Sequence, residues 1–299
     1  MNHHKKNSYH FLTPAAIRGA TCLLAFSFCS LSQAATAVFV QTNGSIGFQS
    51  KSAISGSLSA SSGGTSSSNS GFSTAETASA RFGVLRVYSE SHAPVSSGSF
   101  FGNAHAYFRD DYLFDAPGKT GQAGTFTFSL RIDGSLSVAL KSAGFEDPNF
   151  SRSYSFAALS LESTTGAFPN GNRREQVYAD GSTKNLGDPF LNLTSTFTIP
   201  FTFGTPFELK VSLQAQTNAV AQFGSDSISD LGHTLEWDGI VSVNDGGNNP
   251  VGNYMLTTGS GTDYTRSIPE PGTCILTAGG LLTFLGTRRV RRRTQGWTA

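Results

Sequence analysis

From residue 80 to residue 258 the apolar residues recur at every second position, and Gly, Ser, Asn and Asp fill the gaps between runs. A period of two places alternate side chains on opposite faces of an extended strand, so the pattern predicts strands with one apolar face each. Phe82, Val84 and Leu85 lead one strand that ends near Tyr88. Ala104, Ala106, Phe108 and Asp110 form one face of the next, with His105, Tyr107 and Arg109 on the other. The clearest alternation is Phe126, Phe128, Leu130 and Ile132, followed after Asp133 and Gly134 by Leu136, Val138 and Leu140. All seven positions are even, so a three-residue loop from Asp133 to Ser135, pairing Ile132 with Leu136, would keep them on one face of a hairpin. The same parity predicts a second hairpin, in which Phe197, Ile199, Phe201 and Phe203 precede Gly204, Thr205 and Pro206, and Phe207, Leu209, Val211 and Leu213 follow. Pro200 marks an edge or a bulge.

Further strands are predicted at residues 38–41, at 234–244 with Trp237 pointing into the core, and at 254–258. Strands that are apolar on one face need a second sheet to cover them, which predicts an all-β, jelly-roll-like antiparallel β-sandwich ectodomain over residues 38–266. Its core proper is expected to begin at Ala80. Two stretches lack the apolar mass to join it. Residues 50–74 are rich in Ser and Gly and read as a loop or linker, and residues 169–189 read as a surface excursion. Composition agrees with a packed β body: only 14% of residues are charged, against about 25% in an average soluble protein, while the chain holds 24 Phe.

The chain ends have a different character. Residues 1–37 read as a signal peptide, with Lys5, Lys6 and Arg18 before an apolar run at 20–31 and small-residue cleavage sites around Ala34 and Ala37. Phe28 before Cys29 argues against a lipid-attachment site. Cys22 and Cys29 lie in this segment and Cys274 in the last thirty residues, so the body between has no cysteine for a disulfide or a thiolate metal site. Of 21 basic and 20 acidic side chains, three basic ones lie in the signal peptide; five basic and one acidic lie beyond residue 268. The middle keeps 13 and 19, a net −6 that argues against nucleic acid and anionic membrane surfaces as partners.

At the other end Pro269, Glu270 and Pro271 precede an uncharged run at 273–287, and the arginines Arg288, Arg289, Arg291, Arg292 and Arg293 follow it. The prolines hold an extended, accessible segment. As a helix the run would span about 22 Å, short of the ~30 Å hydrocarbon core, and the arginines would stay on the cytoplasmic side. In order and position these three elements resemble the PEP-CTERM sorting signal of bacterial exported proteins, here residues 267–299. The resemblance implies a Gram-negative bacterium that makes exopolysaccharide, with exosortase as the processing partner at Pro269, Glu270 and Pro271. It also implies membrane attachment through the 273–287 helix before processing, then delivery to the cell surface or extracellular matrix. A weaker resemblance to ectodomains that carry this signal rests on residues 203–207 and 234–241.

Candidate chemistry is sparse. The chain has no Gly-x-Ser-x-Gly elbow and no His-Glu-x-x-His. His92, His105 and His233 are scattered. Asp110, Asp111 and Asp115 are candidates for calcium, which favours carboxylate oxygens, and residues 245–249 offer a second oxygen-rich turn. Glu146, Asp147, Glu236 and Asp238 would have to face each other across a groove to hydrolyse a polysaccharide. Tyr107, Tyr112, Trp237 and Tyr254 are the aromatics that could stack on sugar rings. The sequence therefore predicts a non-enzymatic, cofactor-free, exported β-sandwich with a structural or adhesive role in exopolysaccharide or biofilm. The alternative is a carbohydrate-binding or carbohydrate-active domain on the same scaffold.

Overall fold

The computed structural model describes residues 36–44, 47–53, 57–65, 71–95, 99–140, 153–168, 172–179, 182–186, 188, 190–220 and 224–268. Residues 1–35 of the expected signal peptide (1–37) and residues 269–299 of the expected sorting signal (267–299), including its arginines, lie outside them. In chain order the strands are β1 (Ala37–Gly44), β2 (Gly47–Ala53), β3 (Ser57–Thr65), β4 (Ser73–Arg81), β5 (Val84–Ala93), β6 (Ser99–Asp115), β7 (Ala123–Ile132) and β8 (Ser135–Leu140). They continue as β9 (Tyr154–Ser163), β10 (Asn172–Ala179), β11 (Ser182–Leu186), β12 (Leu193–Thr202), β13 (Phe207–Val220), β14 (Ser225–Asp245) and β15 (Met255–Thr258).

These strands make two antiparallel sheets. The first runs β11-β10-β9-β13-β6-β1-β2, with β15 beside the end of β6; the second runs β12-β7-β14-β5-β4-β3, with β8 beside β14. The alternation that predicted strands is the alternation of burial. On β6 the even positions from Gly102 to Phe114 are buried and the odd positions are partly exposed. On β13 Leu209, Val211, Leu213 and Ala215 point inward. Both inner faces bury one shared core that contains Trp237, as expected.

Several pairings differ from the expectation. β7 and β8 form no hairpin; they lie end to end along β14, with Ile132 opposite Leu235 and Ser135 opposite Asp230. Even parity survives a straight continuation as well as a three-residue loop, so periodicity alone could not separate the two. Gly134 serves close approach here, since a Cβ on it would stand 2.5 Å from Leu231 Cδ2 and 2.7 Å from the Asp230 carbonyl. Asn192 clasps its backbone through two hydrogen bonds of 3.0 and 2.9 Å. β12 and β13 form no hairpin either: β12 pairs with β7 and β13 with β6 and β9, so Gly204, Thr205 and Pro206 arch from one sheet to the other. Strands facing each other across a core share inward parity just as hairpin partners do.

Among its described residues, the Ser/Gly-rich stretch is mostly strand and not linker. It contributes β2 and β3, the outermost strands of the two sheets on that side, in full register with β1 and β4. A ladder is held by backbone groups, so an edge strand needs little apolar mass of its own. The core therefore starts at β1, whose Val38 and Val40 are fully buried, and not at Ala80. Of residues 169–189, expected as a surface excursion, 172–179 and 182–186 supply β10 and β11 at the far edge of the first sheet.

Candidate functional site

Inward residues change size steadily along the strands. β6 reads Gly102, Ala104, Ala106, Phe108, Asp110, Tyr112, Phe114, all buried. β13 runs antiparallel to it and reads the reverse, from Phe207 down to Thr217 and Ala219. In the other sheet β14 climbs from Ser225, Ser227 and Ser229 to Leu231, Leu235 and Trp237. One end of the interior is therefore aromatic, and the other is built of glycine, alanine, serine and threonine.

At the small end the sheets are stitched together directly. Thr217 Oγ1 lies 2.9 Å from Ser89 Oγ and 2.8 Å from Ser91 Oγ. Ser227 donates to the Asn218 carbonyl and Ser229 to the Phe156 carbonyl, both at 2.8 Å. Gly44 and Gly102 are cross-strand partners in the first sheet. Their missing side chains leave a notch for Glu76 of the second, which is fully buried; a Cβ on either glycine would stand 2.4 or 2.6 Å from Glu76 Oε1. Phe72 stacked on Phe100 at 4.0 Å plugs this end.

At the aromatic end Phe128 and Trp237 stack in parallel at 4.4 Å. The chain's last described residues dock here. Trp237 Nε1 donates to the Tyr264 carbonyl at 2.8 Å, and the Ile268 amide donates to the Trp237 carbonyl at 2.9 Å. Two glycines clear the path. A Cβ on Gly83 would strike Ile268 Cδ1 at 2.3 Å, while Gly239, at φ +100°, lies beneath the backbone of Arg266 and Ser267. Sequence reasoning missed this strap because residues 259–268 carry no periodicity; the only signals were two distant glycines, Gly83 in the β4–β5 turn and Gly239 in β14.

The predicted site residues fall in separate places. Asp110 points into the core and accepts from the Ser260 and Asp111 amides at 2.9 Å and from the Ser260 hydroxyl. Burial pushes its carboxyl above the usual range, partly offset by those Ser260 bonds. Asp111 lies on the opposite face, and burial followed by the charges of Asp110 and Glu208 raises it too. Asp115 shares the Asp111 face, but four residues along a strand is roughly 13 Å. The structure thus does not gather the three carboxylates, and no cluster of three or more His, Cys, Asp or Glu with metal-binding geometry occurs among the described residues.

In the 245–249 turn the Asp245 carboxylate is occupied by Lys119 Nζ at 2.8 Å and by the amides of Gly247 and Asn249 at 3.0 Å. The Lys119 ammonium, ahead of the turn amides, holds that carboxyl well below the usual range. Among the aromatics, Tyr112 and Trp237 are core residues and Tyr254 leans on Phe114 at 5.7 Å. Tyr107 faces outward, stacked on Phe39 at 4.9 Å, with Lys210 Nζ 5.0 Å from its ring centroid. Of the four carboxylates considered for hydrolysis, Glu146 and Asp147 lie outside the described residues.

No protein-family model matches the chain, and no curated protein does. Among solved structures, the enzymatically active domain of bacteriophage CBA120 tailspike protein 4 aligns over 68% of this chain at 9% identity with a TM-score of 0.16; the alignment spans 19% of that chain.

Proposed function

We propose that this is an exported, non-enzymatic surface or matrix protein, released or relocated by exosortase acting at Pro269, Glu270 and Pro271, with a structural or adhesive role beside exopolysaccharide. In this reading the body is a jelly-roll-like sandwich whose β5–β6, β6–β7, β12–β13 and β13–β14 connections cross between sheets. The observation that carries the proposal is the docked strap. The chain is tied to the body through Ile268, and the processing motif starts at the next residue. Between Ile268 and Thr273, where the apolar run begins, extended chain reaches roughly 18 Å at most. Before processing the body would stand close against the membrane, with the motif held in the gap. After processing, the strap residues stay with the core and the body departs intact. A cysteine-free body that needs no disulfide also suits a protein that folds after export.

The test replaces Pro269, Glu270 and Pro271 together by alanine and follows the chain by cell fractionation. The variant is expected to accumulate in the membrane fraction while the unaltered chain reaches the surface or medium. Equal distribution of the two would refute the sorting role of the motif.

A further inference from the structure

The outer face of the first sheet carries an uncharged band of amides that the core does not explain. Cross-strand register places Gln41, His105 and Gln214 in one row and Asn43, Asn103 and Gln216 in the next, across β1, β6 and β13. The two rows continue onto β9 as Ala158 and Phe156. Within these four strands neither row contains Lys, Arg, Asp or Glu. The outward face of a sheet is ordinarily polar and solvated, and here its polarity is supplied by amides.

Three of the amides are held in place by side-chain hydrogen bonds. Gln214 Nε2 donates to Asn103 Oδ1 at 3.1 Å, and Gln216 Nε2 donates to the Tyr154 hydroxyl at 2.8 Å. Each amide brings two donor hydrogens and an oxygen with two lone pairs, so one such bond leaves most of its capacity facing outward. Aromatic rings border the band on both sides. The Phe39–Tyr107 stack lies along one flank, and Phe101, 42% exposed, lies with Tyr154 along the other. The charges that flank it are paired with each other: Lys210 with Glu162 at 3.0 Å and Arg109 with Glu208 at 3.5 Å. Arg173 and Glu175 also pair, on β10.

We infer that this face binds a neutral polysaccharide lying across strands β1, β6 and β13, with Gln41, Asn103, Gln214 and Gln216 meeting sugar hydroxyls and the flanking aromatics meeting the C–H faces of the rings. Sugar hydroxyls donate and accept, as do amides, and the apolar side of a sugar ring suits an aromatic neighbour. In the row of Asn43, Asn103 and Gln216 the amides repeat across the sheet at about the 4.8 Å strand spacing, the scale of a hexose unit. An anionic polymer is disfavoured because the nearby cations already hold carboxylates. His105 adds no charge at neutral pH, since burial, then Lys210 and Arg173, lower its pKa to about 4.

This inference rests on the matrix reading above and names its ligand class, yet it is tested separately. The full chain in mild detergent is run through native gels containing hydroxyethylcellulose, dextran, galactomannan, the neutral polysaccharide fraction of the producing organism, or alginate. Retardation by at least one neutral polymer and none by alginate is expected. The double variant Gln41→Ala/Gln214→Ala should weaken it at least fivefold, whereas Thr198→Ala, on the exposed face of the other sheet, should leave it unchanged. Thermal melts of all three proteins show whether the variants are folded; if the double variant melts early, the single variants Gln41→Ala and Gln214→Ala replace it. No retardation by any neutral polymer, retardation by alginate alone, or retardation that survives loss of the amides would overturn the inference. Failure here leaves tail processing untouched, and failure of tail processing leaves the gel result untouched.

Discussion

At one end of the interior Phe128 and Trp237 stack at 4.4 Å amid a crowd of other rings; at the other, Thr217 bridges the sheets to Ser89 and Ser91 at 2.9 and 2.8 Å. The aromatic end buries large apolar surfaces and relies on close packing, so it should be sensitive to lost volume. The hydroxyl end has little apolar area to bury and relies on short side chains that bring the sheets into hydrogen-bonding reach. It should be sensitive to added volume. The two ends also differ in what they attach. The strap of residues 259–268 docks on the aromatic end, so the more heavily packed half is the one from which the chain leaves toward Pro269 and the proposed sorting signal.

The largest effect should come from Trp237→Ala, which opens a cavity beside Phe128 and removes the donor to the Tyr264 carbonyl. A loss of about 4 kcal/mol is expected from urea unfolding, with limited proteolysis cutting near residue 264 before the body unfolds. Next is Gly102→Val. Even a single Cβ there would lie 2.5 Å from Ser89 Oγ and 2.6 Å from Glu76 Oε1, so about 2 kcal/mol of overpacking strain is expected. If the valine were tolerated without loss, the close approach of the sheets would not be a constraint, and the contrast between the ends would fail.

The smallest effect belongs to the outer face. The His105 pKa in the folded chain is about 4, below the ordinary 6.5. The unfolded chain therefore binds the extra proton first. The contribution is present above pH 6.5 and is lost as pH falls from there through about 4. The difference between the unaltered chain and His105→Gln should shrink by about 1 kcal/mol over that window, discounted from the full shift because the ring is partly exposed. A pH-independent difference would mean that the ring is not desolvated.

Strand positions and inward faces on β6, β7, β12 and β13 were legible because burial follows a period of two, and Trp237 was placed in the core correctly. Partners were not legible. Hairpin, arch and end-to-end continuation all keep the same parity, so Asp133 with Gly134, and Gly204 with Pro206, read as hairpin loops when one continues along β14 and the other crosses between sheets. The Ser/Gly-rich strands β2 and β3 were missed because their neighbours supply the ladder. Glu76 was missed because its burial depends on Gly44 and Gly102, which lie in two other strands. The proposed processing motif, with its prolines, apolar run and arginines, is a reading of the sequence alone, because it lies outside the described residues. The amide band became visible only when register set Gln41, His105 and Gln214 side by side.

Intact mass measurement of the C-terminus on chain recovered from the medium or matrix of its producing cells tests the account most directly. The docked strap and the adjoining motif predict a terminus between Ile268 and Gly272, with residues 259–268 retained. A chain recovered intact through Ala299, or one cut inside the strap, would contradict it.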